Sequence, residues 1–212
     1  MDVTAIYSAL MEGGGGTLLD PFDAHVLASV LALAIAETKT GGLPLSQGTG
    51  LTAATLNTLL SKIFPHAPPL LEGDGDGPEV SIPEDERCLR ELLMRSTTHR
   101  TPFQLCLAAL ISRRAMLPNH LWQDLGLRNR GELSELMHRH FRPLASRNVN
   151  DMKWKKFLYR MICRDEGFRP CTAPSCAECD DFSACFGDES GESLLARNRR
   201  QAGISSLAGA PD

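Results

Sequence analysis

Residues 20–42 read DPFDAHVLASVLALAIAETKTGG, and this stretch decides the fold class. Asp20 belongs to the residue types that cap helix N-termini, and Pro21 suits the first helical position. The apolar run that follows is rich in alanine and leucine, which favour helices, and two glycines end it. We therefore predict a long helix that begins after Asp20 and ends near Gly41.

The same criteria predict further helices downstream, and no stretch shows the alternation of a β-strand. The composition agrees, since 42% of the residues are hydrophobic but only 6% are aromatic. We predict an all-α protein. Its further helices begin after Thr52, span Glu84–Arg95, begin at Thr101–Pro102, and span Pro118–Leu125, Gly131–Phe141 and Asp151–Cys163, the last capped by Asn150.

The 212 residues are interpreted as one helical domain with two C-terminal appendages. We predict that residues 1–168 form the compact helical domain, with an exposed linker near residues 66–83 that is rich in Pro, Gly and Asp. Residues 169–187 lack helical periodicity, which predicts an irregular segment organised by its cysteines. Residues 188–212 are polar and later rich in Ala, Gly and Ser, which predicts a flexible tail.

The net charge and the sequence motifs argue against several classes of protein. The net charge of −4 and the pI of about 5.9 argue against a general nucleic-acid binder. The N-terminus lacks the pattern of a secretory signal, and the apolar run at residues 26–36 is too short to span a bilayer. We expect a cytoplasmic protein that binds neither nucleic acid nor a membrane. The motifs G-x-S-x-G, H-E-x-x-H, the P-loop and the dinucleotide fingerprint do not occur, so we expect no enzyme.

Four cysteines lie close together with the spacing Cys171-x4-Cys176-x2-Cys179-x5-Cys185. In a reducing compartment, clustered thiols indicate metal ligands rather than disulfides. Thiolates bind iron–sulfur clusters, zinc or copper(I), and the C-x4-C-x2-C part is similar to the spacing in plant-type ferredoxins. Zinc sites more often use two C-x2-C knuckles, and only one occurs here. The spacing favours an iron–sulfur cluster and leaves zinc open.

Three other side chains are candidates for accessory roles at this centre. Cys163 ends the last predicted helix and is a candidate spare ligand, although a cysteine at a helix end is usually packed. His138 and His140 are two residues apart on a helix, so they project to different faces and do not readily share one metal. One of them is a candidate outer ligand or proton-linked group.

The helix that leads into the cysteines carries a row of basic side chains beside its apolar face. Such a row is often only a solvated surface. The alternative is that it attracts an anion, such as an oxyanion or the anionic cluster, or docks an acidic partner. The row consists of Lys153, Lys156, Arg160 and Arg164, at spacings of three and four residues.

The C-terminal sequence resembles a known family. Residues 147–168 (RNVNDMKWKKFLYRMICRDEGF) run into residues 171–187 (CTAPSCAECDDFSACFG). Together with LMHRHFRPLASRN at residues 136–148, they resemble the C-terminal part of the NifQ family. The resemblance is specific over residues 136–187 and only general before them. It implies a role in assembly of the nitrogenase iron–molybdenum cofactor.

The resemblance also implies a chemical task. Members of this family are regarded as carriers of an iron–sulfur cluster that includes molybdenum. They are thought to take the metal from molybdate or another molybdenum source and pass it to the cofactor-assembly scaffold and the nitrogenase iron protein. By this match the cluster ligands would be Cys171, Cys176, Cys179 and Cys185. The residues alone leave two alternatives, an electron-transfer iron–sulfur protein and a zinc-stabilised interaction module.

Overall fold

The computed structural model describes residues 2–12, 19–41, 44–66, 80–165 and 189. This part of the chain is helical and contains no strand, which confirms the all-α fold class. The helices are α1 (Val3–Met11), α2 (Pro21–Gly41), α3 (Leu45–Thr49), α4 (Ala53–Ile63), α5 (Glu84–Arg95), α6 (Pro102–Ala115), α7 (Leu121–Asp124), α8 (Arg130–His140), α9 (Arg142–Ala145) and α10 (Trp154–Asp165).

Helix α2 forms the centre of the core. Every residue from Asp23 to Ile35 is buried, so no side of this part of the helix faces water. A helix that is apolar all round is stable in water only when other elements cover it. Helices α1 and α3 pack against α2, and α3 also contacts α6. The stretch that decided the fold class is therefore the one around which the other helices are arranged.

The length of α2 bears on the expectation that this stretch is too short to span a bilayer. The apolar run at residues 26–36 is short, but the helix itself has 21 residues and is long and apolar enough to cross a bilayer by length and composition. Within the protein, 72% of its most apolar window is buried. Burial of this extent is the property of a core helix.

The turn between α7 and α8 is pressed against α2. Gly126 has a φ of +73°, a left-handed conformation that favours glycine. A Cβ atom at this position would lie 2.9 Å from the Leu33 side chain and 2.9 Å from the Ser29 carbonyl oxygen. Only glycine permits the backbone at position 126 to lie so close to α2. This contact positions the turn that leads into α8, where part of the candidate site lies.

Several predicted helix starts are confirmed by their caps. The side chains of Asp20, Thr52 and Thr101 each accept a hydrogen bond from a backbone N–H two or three residues later. The span Glu84–Arg95 is matched by α5, and Gly131–Phe141 is matched by α8 with a shift of one residue at each end. At these positions the residue types that cap helices were enough to predict where each helix begins.

The predicted start of the last helix was wrong. We expected a helix from Asp151 capped by Asn150, but α10 begins at Trp154. Asp151 has a φ of +51°, a left-handed value that is incompatible with a right-handed α-helix. The Asn148 side chain accepts from the Met152 N–H and donates to its carbonyl oxygen, both at 2.9 Å, and so holds the chain in a turn before the helix.

Two further expectations about the helices needed correction. The helix expected over Pro118–Leu125 is the single turn α7, which begins only after His120. Helices α1, α3 and α9 were not predicted. Most of the expected linker near residues 66–83 and the whole of the segment 169–187 lie outside the described residues, as does the tail apart from Glu189.

A buried histidine joins α1, α2 and α8. The Tyr7 hydroxyl lies 2.8 Å from His25 Nδ1, and Glu132 Oε2 lies 3.3 Å from Nε2. These contacts suit a neutral ring that accepts from Tyr7 and donates to Glu132. Burial lowers the pKa of His25 below its ordinary value, and the nearby Glu132 carboxylate offsets part of this effect.

The first prediction concerns the pH dependence of stability. Because the folded protein disfavours protonated His25, the free energy of unfolding should fall as pH drops below about 6.5, by up to about 1.4 kcal/mol per pH unit from this group. This contribution is fully present above pH 6.5. His25→Gln should flatten the profile between pH 7.5 and 5.5, measured by urea unfolding. The matched control is His138→Gln, which replaces an exposed ring, and an identical flattening in that variant would contradict the assignment.

Candidate metal centre and the basic cavity beside it

The four-cysteine motif lies beyond the end of α10. Cys171, Cys176, Cys179 and Cys185 are all outside the described residues, so their assignment as ligands stays a prediction. Across the ranges that the structure describes, no group of three or more His, Cys, Asp or Glu side chains is arranged to hold a metal ion.

Helix α10 anchors the chain immediately before the motif. Its buried residues Trp154, Phe157, Leu158 and Met161 recur at helical spacing, and the helix packs against α5. The Trp154 indole donates to Ser134 Oγ at 3.1 Å, which ties the first turn to α8. The predicted apolar face is thus the face that docks. The side chains on the other side of the helix are left closer to solvent.

The side chains of the basic row differ in their exposure to solvent, which their regular spacing did not indicate. Lys156 is exposed, whereas Lys153 and Arg160 are partly buried. The side chain of Arg164 lies outside the described residues.

A lysine that the row omitted makes the firmest contacts on this helix. Lys155 Nζ lies 2.6 Å from Asp124 Oδ2, a carboxylate with no exposed side-chain surface. It also donates to the carbonyl oxygens of Leu117 and Asn119. The row was defined by spacing alone, so it missed a residue whose partner is far away in sequence.

A cavity of about 170 Å³ lies where α7 meets the start of α10. Cationic side chains dominate its lining, and one carboxylate enters it. That carboxylate is Glu189, whose side chain is only 6% exposed. The lining consists of His120, Leu121, Lys153, Lys155, Lys156 and Glu189.

Glu189 lies close to one nitrogen atom from each of two side chains. Its Oε1 lies 3.3 Å from His120 Nδ1, just before α7, and its Oε2 lies 2.9 Å from Arg130 Nη1, at the start of α8. Oε2 is buried and makes no aligned hydrogen bond. Arg130 also binds the carboxylate of Asp151 at 2.8 Å. The sequence offered no periodic signal for this arrangement, because Glu189 is about 60 residues from Arg130.

The accessory candidates do not converge in the structure. His140 is buried, with Nε2 at 2.9 Å from Asp23 Oδ1. His138 is exposed, and its Nδ1 lies 2.8 Å from the Ser134 carbonyl oxygen. The two rings point to different sides of α8, as their spacing predicted. Cys163 is a free, partly buried thiol on α10. Accessory roles for these three residues stay predictions.

A second cavity, of about 460 Å³, lies between α4 and α6. Its lining is mainly apolar and includes Leu59, Phe103 and Cys106, with Lys62 at its edge. Among the described residues that line it there is no carboxylate, histidine or cluster of cations, so its lining differs in chemistry from that of the basic cavity.

Comparison with known proteins gives a consistent result. The sequence model of the NifQ family matches residues 26–187. A protein NifQ homolog from Sinorhizobium fredii (strain NBRC 101917 / NGR234) is 40% identical over 179 residues, which cover 81% of this chain and 75% of that protein. Protein NifQ of Rhodobacter capsulatus is 39% identical over 167 residues, covering 78% of this chain and 91% of that protein. Protein NifQ of Azotobacter vinelandii is 36% identical over 140 residues, covering 66% and 68%. No solved structure matches the chain.

Proposed function

The chain belongs to the NifQ family, and from this premise we propose that it carries a molybdenum-containing iron–sulfur cluster as cargo and donates the molybdenum for biosynthesis of the nitrogenase iron–molybdenum cofactor. NifQ proteins take part in the biosynthesis of that cofactor. The donor role, the cluster and its composition are the proposed part.

One observation carries the proposal. The family match ends at residue 187 and so includes the whole motif Cys171-x4-Cys176-x2-Cys179-x5-Cys185. Four thiolates within one short segment suit an iron–sulfur cargo, because soft sulfur ligands hold iron while short irregular gaps allow ligation from several directions. The absence of a competing metal-ligand group among the described helical residues is compatible with this segment as the carrier.

The proposed partners follow from the donor role. The protein would receive molybdenum from molybdate or another molybdenum source and deliver it to the cofactor-assembly scaffold and the nitrogenase iron protein. It would act in the cytoplasm, as a carrier and not as an enzyme. The charged surface of α10 leads directly into the cysteine segment and is the proposed place for contact with anionic partners.

The second prediction tests this function by metal analysis. Protein purified without oxygen from cells supplied with iron and molybdate should contain iron, acid-labile sulfide and molybdenum together, with an EPR signal from the cluster. The control is protein from cells grown without molybdate, which should keep iron and sulfide but lose molybdenum. Mixing loaded protein with the assembly scaffold and separating the two should move molybdenum to the scaffold.

Two results would contradict the proposal. Iron and sulfide that never include molybdenum, with a reversible redox couple, would indicate an electron-transfer protein. Zinc without sulfide in a colourless, oxygen-stable protein would indicate a zinc-stabilised interaction module.

A further inference from the structure

We propose that Glu189 is an anchor that fastens the far end of the cysteine segment to the helical part of the chain and thereby slows the release of the metal cargo. The attachment itself rests on the contacts of Glu189 with His120 and Arg130. Its effect on the cargo rests on the proposed function. Glu189 is thus assigned as a positioning residue, because it acts through the segment that carries the four cysteines.

The burial of Glu189 shows that its carboxylate depends on these partners. A carboxylate that leaves water loses its hydration, and this cost is offset only by close cationic or hydrogen-bonding groups. The Glu189 side chain is only 6% exposed. Its Oε1 lies 3.3 Å from His120 Nδ1, and its Oε2 lies 2.9 Å from Arg130 Nη1. Both partners lie far earlier in the chain, so these contacts fix residue 189 on the helical part.

Arg130 is held in position for this contact by the chain that precedes α10. Its Nη2 donates to the carbonyl oxygens of Asp151 and Met152, at 2.6 and 3.1 Å, and to the Asp151 carboxylate at 2.8 Å. The planar guanidinium group is therefore fixed through one nitrogen, while the other nitrogen, Nη1, lies next to Glu189. An arginine that is already ordered loses little side-chain entropy when it binds a further carboxylate. The helical part thus supplies a preformed partner for Glu189.

The two carboxylates that contact Arg130 differ in their exposure to water. The Asp151 side chain is 81% exposed, and an exposed ion pair of this kind contributes little, because water and salt screen it. Glu189 is shielded from water, and close opposite charges that are shielded from water attract each other more strongly. Of the two carboxylates, Glu189 is therefore the one whose pairing with Arg130 has the larger effect.

The attachment gives the cysteine segment a second fixed end. Helix α10 ends at Asp165 and is docked through its buried face, and all four cysteines lie between Asp165 and Glu189 in the sequence. A stretch of chain that is attached at both ends has fewer conformations than one attached at a single end. The segment therefore gains less conformational entropy when its cysteines release the cargo, so release is disfavoured. Cys185 precedes Glu189 by only four residues and is the candidate ligand nearest to the anchor in sequence.

The third prediction tests the attachment by ¹⁵N relaxation of the full-length, reduced, iron-free protein. The backbone amide of residue 189 should have an order parameter of about 0.85, as in a rigid backbone, and below about 0.6 in Glu189→Lys. The substitution turns the attraction to Arg130 into repulsion at close range. Glu189→Gln should give an intermediate value, because it keeps the shape but loses the charge. The matched control is Glu192→Lys, which makes the same charge change three residues later and should leave residue 189 ordered.

The effect on the cargo is measured as the rate of iron loss from anaerobically loaded protein to an excess of a ferrous-iron chelator. Glu189→Lys should speed this loss by about tenfold, a factor typical of the coupling between close, buried opposite charges. Its EPR signal before chelator is added should equal that of the wild type, because all four cysteines remain. Asp151→Asn removes the exposed partner of Arg130 and should leave the rate unchanged.

A double-mutant cycle identifies the partner of Glu189. Arg130→Gln should also speed iron loss, and adding Glu189→Gln to it should bring little further change, because the two side chains act as one pair. Fully additive effects of the two substitutions would overturn the assignment of Arg130. Circular dichroism of each iron-free variant checks that the helices are intact.

The two measurements separate the possible failures. An order parameter of residue 189 below about 0.6 in the wild type overturns the attachment, as does an equal decrease in Glu189→Lys and Glu192→Lys. An ordered residue 189 together with the same rate of iron loss in Glu189→Lys and the wild type overturns the effect on the cargo. Because the relaxation measurement uses iron-free protein, a failure of the cluster proposal in the metal analysis would leave the result on the attachment intact.

Discussion

Replacing Glu86 by alanine is expected to lower the free energy of unfolding by about 3–5 kcal/mol, because it removes the shared partner of two partly buried arginines. Glu86 has no exposed side-chain surface. Its Oε1 lies 2.8 Å from Arg90 Nη2, and its Oε2 lies 2.9 Å from Arg113 Nε. Without the carboxylate both guanidinium groups, each less than one-fifth exposed, would stay desolvated and uncompensated.

The arginines extend this effect to other elements. Arg90 also donates to the Gly50 carbonyl oxygen at 2.9 Å, and Arg113 donates to the Ser81 carbonyl oxygen at 2.6 Å. Gly50 has a φ of +69°, and a Cβ there would lie 2.7 Å from the Arg90 guanidinium. The carboxylate thus holds α5 and α6 together and secures the end of α3 and the chain before α5.

Urea unfolding of the iron-free protein measures the change without interference from metal loss. Glu86→Gln should fall between the wild type and Glu86→Ala, because it keeps the shape but loses the charge. The matched control is Glu91→Ala on the same helix, where the partner Arg87 is exposed and little change is expected. An unfolding midpoint for Glu86→Ala equal to that of the control would contradict the assigned role.

The parts of the fold that could be predicted are those decided by local chemistry. Helix α2 follows from a cap, a proline, an apolar run and a glycine stop, all adjacent in sequence. The apolar face of α10 follows from helical spacing alone. The start of α10 could not be predicted, because the Asn148 side chain competes for the Met152 backbone and produces a turn with the same residue types that cap helices.

The candidate site also has one part that local sequence predicts and one part that depends on residues distant in sequence. The spacing of the cysteines is a local pattern, so a metal-binding segment could be predicted from it. The family match covers this segment. The basic cavity could not be predicted, because its lining combines residues at the start of α7, residues at the start of α10 and one residue beyond the cysteines. Glu189 falls in the segment 188–212, which the sequence predicts to be a flexible polar tail. Pairings such as Glu189 with Arg130, or Lys155 with Asp124, have no sequence period and become visible only in the folded chain.

Under the proposed function, the helical part and the cysteine segment have separate tasks. Helix α10 is docked on the other helices by aromatic and aliphatic contacts. At the start of α10 lies a cavity lined by three lysines, and after α10 the sequence continues into the cysteine segment, which would hold the molybdenum with sulfur ligands.

Replacing Cys176 by serine is expected to reduce bound iron and molybdenum by at least about tenfold, since changes even to groups behind metal ligands cost 10–100-fold in affinity. Cys176 and Cys179 form the C-x2-C pair in the middle of the motif. A serine hydroxyl has nearly the same shape but is a harder and far less acidic ligand, so it binds iron much more weakly than a thiolate does. Iron, molybdenum and sulfide are measured on anaerobically purified protein, with EPR for the cluster.

The chain contains its own matched controls for this substitution. Cys88→Ser and Cys106→Ser change cysteines on α5 and α6 that form no disulfide and lie away from the motif in sequence, and they should leave the metal content unchanged. Cys163→Ser distinguishes a packed thiol from a spare ligand, because only the latter would lose metal. If Cys176→Ser retained full iron, sulfide and molybdenum while Cys88→Ser or Cys106→Ser lost them, the four-cysteine centre would be wrong. Uniform retention of metal in all four variants would contradict the role of Cys176 as a ligand.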